Sequence, residues 1–488
     1  MLATLINKEL RAIILSPKFT GTFAICSLLI ILSIFTGVRE YKTMVSRYEA
    51  ASEMVEQELR QSTSWGRMST KVYREPDPMH IFVSGVDYNI GRWSNVTERN
   101  SAKLKNSAYS DDPIYAVFRF VDFVFIVQFV LTLFAILLTY NTVCGEREDG
   151  TLQLVFSNAV SRAKYLIAKA IGAWLGLVVP ICIPILIGLM IIMLYKIPLT
   201  FDHWFKIFLL LWLSLLLFTF FILLGIFISS ITKRPSVSFL VSLIVWVLFV
   251  MMVPRAGVMA AGTIANVPRI AEVEGRISGY AKNRWEQFFK GMETGWNDYE
   301  NSKSTDSAVS DEALWAMMEK QDSAHKVVEK EIDEYDIKLH EDLRQRKTQQ
   351  ENMAFTLSRL SPASAYQLGA MSLAGNNIDV KSRYEEAINN YRHQFYQFVE
   401  QKQEETGDDG RIMIAFTIED DGTQDMAMNG GGRSKELLDV DQIPRFVAPS
   451  VSLAETISPV LLDFGLIILY SLLVFVGAFI AFIRYDVR

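Results

Sequence analysis

The most informative group of charged residues lies between two apolar blocks and reads Glu146-Arg147-Glu148, closely followed by Gly150-Thr151-Leu152. Acidic side chains near the N-terminus of a helix are stabilised by the helix dipole. The sequence therefore predicts a short helix that begins at Gly150-Thr151. A short helix held between two membrane spans can act as a rigid lever that passes motion from a soluble partner into the membrane. The alternative interpretation is a solvated loop that only connects the spans.

A second group of polar residues lies inside the apolar blocks, where ionisable side chains are energetically costly. Arg119 and Asp122 are three residues apart, so they can pair on one face of a helix. Gln128 lies deeper in the same block, and Asp463 lies about two turns into the last block. Two interpretations stay open: a polar lining of a path across the membrane or of its outer gate, or a local ion pair and a helix cap.

Several kinds of chemistry are not expected from this sequence. The three cysteines form no CxxC pair and the five histidines show no ligand spacing, so we expect no metal site. The chain has no GxxxxGK[ST] phosphate loop and therefore no ATPase of its own. A net charge of −6 does not favour nucleic acid as a partner. We expect neither catalytic residues nor a cofactor bound to this chain.

The elements that position these residues are predicted to be membrane spans. Half of the 488 residues are hydrophobic and the mean hydropathy is +0.21, yet 21% of the residues are charged, so apolar blocks must alternate with polar segments. Six blocks are long enough to cross a bilayer, and they lie near residues 19–38, 114–140, 165–195, 205–231, 236–255 and 456–483. Pro180 and Pro184 predict a kinked or broken helix in the third block.

The basic residues predict the orientation of the spans. Residues 1–18 form an amphipathic helix that lies on the membrane surface. Lysine and arginine residues cluster beside this helix, in the connecting segment 141–164, in the hairpin at 233–234 and at the C-terminus, with Lys196 and Lys206 as the main exceptions. The excess of basic residues marks the cytoplasmic side. Both termini are therefore predicted to be cytoplasmic, the segments 39–113 and 256–455 to lie outside, and residues 456–488 to form the last span and tail.

The large outer segment is predicted to be mostly helical. Apolar residues recur at three- and four-residue steps over 312–348 and 383–403, which predicts two amphipathic helices that pack on each other or on a partner. The less charged stretch 360–375 is suited to the outer membrane surface, and residues 411–418 alternate as in a single strand. The predicted fold class is an all-α polytopic membrane protein with six transmembrane helices, an N-terminal interfacial helix and an outer domain with minor β structure.

The connecting segment resembles the coupling region of ABC type-2 exporter permeases. That family has an acidic-basic-acidic triplet, a Gly-Thr-Leu, and a Ser-Arg before a Gly-Lys; this chain has Glu146-Arg147-Glu148, Gly150-Thr151-Leu152, Ser161-Arg162 and Lys169, with Ala168 in place of the glycine. The stretches 122–128, 246–254 and 360–365 are similar to a subgroup with enlarged extracytoplasmic domains, which includes gliding-motility-type and nitrous-oxide-reductase-maturation permeases.

The resemblance implies an assembly and a set of coupling residues. Two permeases, identical or related, would pair in a bacterial inner membrane, each with an ATPase subunit that holds ATP and Mg²⁺. The residues implied to couple the permease to the ATPase are Glu146, Arg147, Glu148, Gly150, Thr151, Leu152, Leu154 and Arg162. Leu152 and Leu154 cannot both point inward on a helix, so one of them would insert into a groove of the ATPase. A lipid, a peptide or an envelope protein would fit as substrate, membrane lipids are expected contacts, and an outer protein partner is possible.

Two other classes of function compete with this interpretation. A membrane sensor or scaffold would use the helical outer domain without any ATPase partner or transport. An intramembrane aspartyl protease would need two facing aspartates, and Asp122 and Asp463 qualify only by number because the GxGD motif is missing. Co-purification of an ATPase separates the permease from the sensor.

Overall fold

The predicted fold class is confirmed: the chain is an all-α polytopic membrane protein. A computed structural model describes residues 2–65, 68–87, 90–97, 104–105, 121–157, 160–303, 311–377, 379–406, 412–418, 424–430, 438–449 and 452–484. Within these ranges six helical stretches are long and apolar enough to cross a membrane. They span Pro17–Arg60, Phe123–Glu148, Arg162–Leu194, Phe201–Ile231, Pro235–Ile264 and Leu453–Ile483.

The helices near the N-terminus and around the second span are short or interrupted, apart from α2. They are α1 (Leu2–Ile14), α2 (Pro17–Arg60), α3 (Phe123–Phe125), a π-helical stretch (Ile126–Leu131), α4 (Thr132–Thr139), α5 (Cys144–Glu148) and α6 (Thr151–Ser157). Spans three to six comprise α7 (Arg162–Leu194), α8 (Phe201–Ile231), α9 (Pro235–Val247) with a π-helical stretch (Leu248–Met252) and α10 (Val253–Ile264), and finally α15 (Leu453–Ile483).

The helix starts follow from local capping residues. Ser16 accepts a hydrogen bond from the backbone N–H of Phe19 at 3.2 Å, and Pro17 occupies the first turn of α2. Ser452 and Glu455 form a capping box at the start of α15. Such residues bond to backbone N–H groups that have no partner inside the helix, so short sequence signals define where these two spans begin.

The third span is one uninterrupted helix. Both Pro180 and Pro184 lie inside α7, which continues from Arg162 to Leu194. Proline removes one backbone hydrogen bond, but membrane helices tolerate it where neighbouring groups satisfy the freed carbonyl. The break that the two prolines allowed does not occur.

A short helix, α13 (Pro362–Ala374), is buried among the spans. It packs against α8 and α15, and most of its residues are inaccessible to solvent. The Tyr366 hydroxyl is 3.2 Å from the Ser214 hydroxyl of α8, and the Ser361 hydroxyl donates to the Phe249 carbonyl. The sequence suggested that this stretch rests on the membrane surface; the structure instead buries it between helices.

The segment between the first two spans packs with the helix that precedes the last span. Strands β1 (Thr70–Tyr73) and β2 (Trp93–Val96) pair antiparallel, and α14 (Asp379–Thr406) lies against β2. Their shared core is apolar and contains Trp65, Met68, Val72, Val96, Ile388, Tyr391, Phe395, Val399 and Ile443. The helix predicted over 383–403 therefore buries its apolar face against residues of the first segment.

The chain divides into two compact units, of which the first comprises Met1–Met251 and Ser361–Arg488 and the second comprises Met252–Leu360. In the second unit, helices α11 (Ile270–Lys303) and α12 (Asp311–Ser358) pack together, and α12 also contacts α10. The Tyr280 and Tyr335 rings stack with centroids 4.1 Å apart, and Arg284 pairs with Glu331. The helix predicted over 312–348 thus pairs with α11, a helix that the periodicity analysis did not predict.

The alternating segment near residue 411 is one arm of a hairpin. Strand β3 (Ile412–Ile418) pairs antiparallel with β4 (Gln424–Gly430), from Ile412 opposite Gly430 to Ile418 opposite Gln424. The sequence predicted the first strand but not the second.

Candidate functional site

The segment between the second and third spans forms two short helices joined by a glycine turn. Gly150 has φ of 72°, a conformation that glycine adopts without the steric cost of a Cβ atom, and α6 begins at the next residue as predicted. The Thr151 hydroxyl donates to the Glu146 carbonyl at 3.2 Å and ties α6 to α5. The turn is therefore fixed by backbone geometry and by one side-chain hydrogen bond.

Glu146 lies at the centre of a cluster of ionic contacts. Its Oε1 is 3.0 Å from Lys8 Nζ and 3.0 Å from Lys169 Nζ, while its Oε2 accepts a hydrogen bond from the Tyr165 hydroxyl at 2.6 Å. The Glu146 side chain is only 14% exposed. A carboxylate enclosed in this way stabilises the fold only while its partners remain in place.

Lys169 connects this cluster to the N-terminal helix. Its Nζ lies 2.5 Å from Glu9 Oε2, and the two side chains are 8% and 10% exposed. We call the set Lys8, Glu9, Glu146, Tyr165 and Lys169 the ionic clamp. It joins α1, α5 and α7, and its two carboxylates balance its two ammonium groups.

Small residues on α7 let α1 approach closely. A methyl group at position 172 would lie 2.7 Å from the Cβ of Glu9, and one at position 176 would lie 3.2 Å from a side-chain carbon of Ile13. Both distances are shorter than ordinary carbon contacts. Gly172 and Gly176 therefore provide the space in which the ionic clamp forms.

The short helix α6 has one buried and one exposed face. Leu152 is 2% exposed, and the Phe156 ring lies 5.5 Å from that of Tyr165 and 6.0 Å from that of Phe482 on α15. Leu154 is 67% exposed. Of the two leucines, Leu152 anchors α6 to the spans and Leu154 is available to a partner.

Arg162 and the backbone before α5 tie the segment to further spans. The Arg162 guanidinium donates to the carbonyls of Phe482, at 3.1 Å, and Ile483 in the last turn of α15. The Ser229 hydroxyl of α8 accepts hydrogen bonds from the backbone N–H groups of Val143 and Cys144 at 3.0 and 3.1 Å. The helix pair α5–α6 is thus fixed to the ends of α7, α8 and α15, which we call the loop end of the spans.

The remaining residues of the predicted coupling set lie at the surface. Arg147 is half-buried, whereas Glu148 and Gly150 are exposed together with Asp149 between them. The triplet is therefore split: Glu146 points into the ionic clamp, and Glu148 faces solvent.

The polar residues inside the spans lie in closed surroundings. The Asp122 carboxylate caps α3 through the Phe125 N–H at 2.8 Å and accepts from the Ser84 N–H and hydroxyl at 3.0 and 2.7 Å. Gln128 is buried in the π-helical stretch of the second span. Asp463 is fully buried on α15, where a methyl group at position 369 of α13 would lie 3.3 Å from its Cβ. Arg119 lies outside the described residues.

Sequence reasoning missed most members of the ionic clamp. Lys169 was identified as part of the family motif and Lys8 only as a basic residue near a span, neither of them as a partner of Glu146, and Glu9 and Tyr165 were not singled out. One available signal was Glu9, an acidic residue on a helix whose other charged side chains are basic. Among the described residues no group of three or more histidine, cysteine, aspartate or glutamate side chains could hold a metal ion.

Comparison with known proteins gives one family match over nearly the whole chain. The family model described as ABC-2 family transporter protein matches residues 3–486. The chain has no match among curated proteins.

Proposed function

The chain belongs to the ABC-2 transporter family, and we propose that it couples ATP hydrolysis on a separate ATPase subunit to export across the membrane. Membership in this family implies the permease component of an ABC transporter, which normally works with an ABC ATPase partner. Export, the coupling element and the substrate are the parts of the proposal that go beyond the family.

The observation that carries the coupling role is the attachment of α6 to several spans at once. Leu152 and Phe156 join it to the core, Thr151 ties it to α5, and the ionic clamp ties α5 to α1 and α7. A helix that is connected in this way cannot move without displacing its neighbours, because closely packed interiors transmit strain. A force applied to the exposed face of α6 would therefore reach α1, α7 and α15.

The two faces divide the coupling residues into two roles. Glu148 and Leu154 are exposed, so we propose that they contact the ATPase, with Leu154 inserted into an apolar groove. Glu146, Leu152 and Arg162 act from inside and hold the lever to the spans. Charge reversal at Glu146 would then disrupt the permease itself, whereas reversal at Glu148 would weaken docking alone.

The assembly and its orientation follow from the same role. The loop end must face the ATPase and hence the cytoplasm, which places both termini inside and the segments 39–113 and 256–455 outside. The working unit would contain two permeases, identical or related, and two ATPases in a bacterial inner membrane. A lipid, a peptide or an envelope protein would be the substrate.

The polar residues at the opposite ends of the spans fit an outer gate. Asp122 joins the first outer segment to the second span through Ser84, and Asp463 faces α13. Because Asp122 and Asp463 contact other parts of the protein and not an open path, we propose that they connect the elements of the gate and do not contact substrate. Gln128 is buried further along the second span.

The decisive experiment compares ATPase binding by surface variants of α6. We expect Leu154→Ala to weaken binding of the ATPase to the full-length permease by about 30-fold or more, as for a buried interface anchor. Glu148→Lys should weaken binding mainly at low salt. Gln153→Ala, on the same exposed face, is the matched control.

Thermal unfolding separates docking from folding. The unfolding temperature of the permease alone should not change in the Leu154 and Glu148 variants, because both side chains are exposed. Wild-type ATPase affinity and wild-type transport-linked ATP hydrolysis in both variants would refute the coupling role and would favour the sensor or scaffold.

A further inference from the structure

A polar cavity lies at the ends of α8 and α15 that are remote from the loop end. Its volume is about 240 Å³. The side chains used in the following argument are Glu75, Asp77, Lys206, Arg383 and Tyr384. The cavity lies entirely within the first compact unit, between the first outer segment, the start of α8 and the start of α14.

One wall of the cavity is a set of charges that already compensate one another. Asp87 pairs with Arg74, and its other oxygen lies 3.1 Å from His80 Nδ1. Burial alone would raise the pKa of Asp87, but Arg74 and His80 outweigh burial and hold that pKa well below its usual range. Burial also raises the pKa of Tyr384 to about 12, so this residue lines the cavity as a neutral phenol. These groups form a rigid frame.

Four other charged groups at the cavity are not compensated in the same way. Lys206 and Glu75 make no ion pair within the described part of the chain. The Arg383 guanidinium has only a long hydrogen bond, 3.4 Å, to the Asn377 amide oxygen. Asp77 caps a single 3₁₀ turn and lies 3.6 Å from His203 Nε2. The cavity therefore presents two cations and two carboxylates.

The position of the cavity favours a ligand that reaches it from the membrane surface. Lys206 lies in the second turn of α8, and Thr456 lies in the first turn of α15, so the cavity is at the level where two spans leave the apolar region. Phe205 and Phe208 lie in the same turn of α8 as Lys206, and their side chains are 36% and 56% exposed. A charged group in the cavity would have apolar surface beside it.

We propose that this cavity binds a small zwitterionic group, an anion joined to an ammonium, of the kind found in phosphoethanolamine. Lys206 and Arg383 would hold the anion, and Glu75 and Asp77 would hold the ammonium. Charge-assisted hydrogen bonds of this kind are about twice as strong as neutral ones. A volume of about 240 Å³ is smaller than the roughly 300–1,000 Å³ of sites for drug-sized ligands, so only a headgroup fits inside.

The test measures ligand binding by the purified full-length chain in detergent, without any ATPase. Two probes carry the zwitterion: free phosphoethanolamine and a short-chain phosphatidylethanolamine. Inorganic phosphate, ethanolamine and a short-chain phosphatidylglycerol each lack one of the two charges. We expect saturable calorimetric binding of at least one zwitterionic probe, tighter than its single-charge counterparts. The probe that binds identifies the source as a free metabolite or a lipid headgroup.

Variants locate the binding in the cavity. Lys206→Ala and Arg383→Ala should each weaken binding about tenfold or more, which is the effect of losing a hydrogen bond to a charged group. Lys381→Ala is the matched control, since Lys381 is exposed, lies two residues from Arg383 and does not line the cavity. Glu75→Gln should reduce the preference for phosphoethanolamine over phosphate.

Three results would overturn the proposal. They are the absence of saturable binding by either zwitterionic probe, equal binding of phosphate and phosphoethanolamine, or wild-type affinity in both cavity variants. Unfolding temperatures that match those of Lys381→Ala would show that the cavity variants are folded. If a cavity variant unfolds early, Lys206→Gln, which keeps most of the side-chain volume without the charge, gives the same comparison.

Discussion

Two lysines contact one carboxylate oxygen at the same distance, and this permits a direct test of how burial sets the strength of the ionic clamp. Lys8 Nζ and Lys169 Nζ each lie 3.0 Å from Glu146 Oε1, but their side chains are 53% and 8% exposed. The perturbation is Lys169→Met, with Lys8→Met as its matched control. Methionine keeps an unbranched apolar stem and removes the charge.

The expected magnitudes differ because the surroundings differ. Without Lys169, the carboxylates of Glu9 and Glu146, which are 10% and 14% exposed, lose their buried cation. Breaking a buried pair by removing one partner costs about 3–5 kcal/mol. An exposed pair such as Lys8–Glu146 is worth about 0.2–1 kcal/mol. The same contact distance should therefore give effects that differ several-fold.

The lost stability should appear as detachment of α1 from α7, because Lys169 of α7 pairs with Glu9 of α1. At 1.36 kcal/mol for each factor of ten, 3–5 kcal/mol corresponds to an opening equilibrium raised about 10²- to 10⁴-fold. Lys8→Met should raise it at most about fivefold. The opening equilibrium is measured by hydrogen exchange of the α1 amides in full-length protein in lipid nanodiscs. Glu9→Gln combined with Lys169→Met should recover part of the loss, since it removes one uncompensated carboxylate.

Equal loss of α1 protection in Lys8→Met and Lys169→Met would refute the argument that burial decides the strength of the contact. Wild-type protection in Lys169→Met would refute the ionic clamp altogether. Exchange in α14, which is not in contact with the ionic clamp, serves as the internal reference and should not change in either variant.

Three further predictions concern other parts of the fold. Gly150→Ala should destabilise the glycine turn by about 1–2 kcal/mol in a thermal unfolding assay, through the positive φ alone, because a methyl group there meets nothing within 4 Å. Gly21→Ala is the control: it lies inside α2, its methyl group also meets nothing within 4 Å, and it should be neutral or slightly stabilising in that assay. Arg162→Ala should expose the last amides of α15 to hydrogen exchange and cost about 1.5–3 kcal/mol, whereas unchanged exchange would contradict its capping role. The pKa of Asp87 is lower in the folded state than in the unfolded state. The stability that Asp87 contributes is therefore complete above the unfolded pKa of about 4 and is lost as the pH falls further. The loss of stability below about pH 4 should accordingly be smaller in Asp87→Asn than in the wild type.

Much of the fold could be predicted because its signals are local. A span is recognised from about 20 consecutive apolar residues, and each of the six predicted blocks overlaps a helix long enough to cross a membrane. Residues 114–120 of the second block lie outside the described residues. The periodicity over 312–348 and 383–403 likewise identified α12 and α14. The partners of these helices were not predictable, since an apolar face indicates burial without indicating against what. For the same reason the sequence placed the 13-residue helix α13 on the membrane surface, although it is buried between helices.

In the candidate site, the sequence by itself determined the glycine turn at Gly150 and the start of α6, but for the two leucines it determined only that both cannot point inward. It could not determine that Glu146 points inward while Glu148 points outward, because the partners of Glu146 are 138 and 23 residues away in the chain. Turns and helix starts depend on neighbouring residues, whereas the burial of a charge depends on which distant groups the folded chain brings to it. Only the tertiary structure therefore decided which acidic residue is enclosed in the ionic clamp and which one faces solvent.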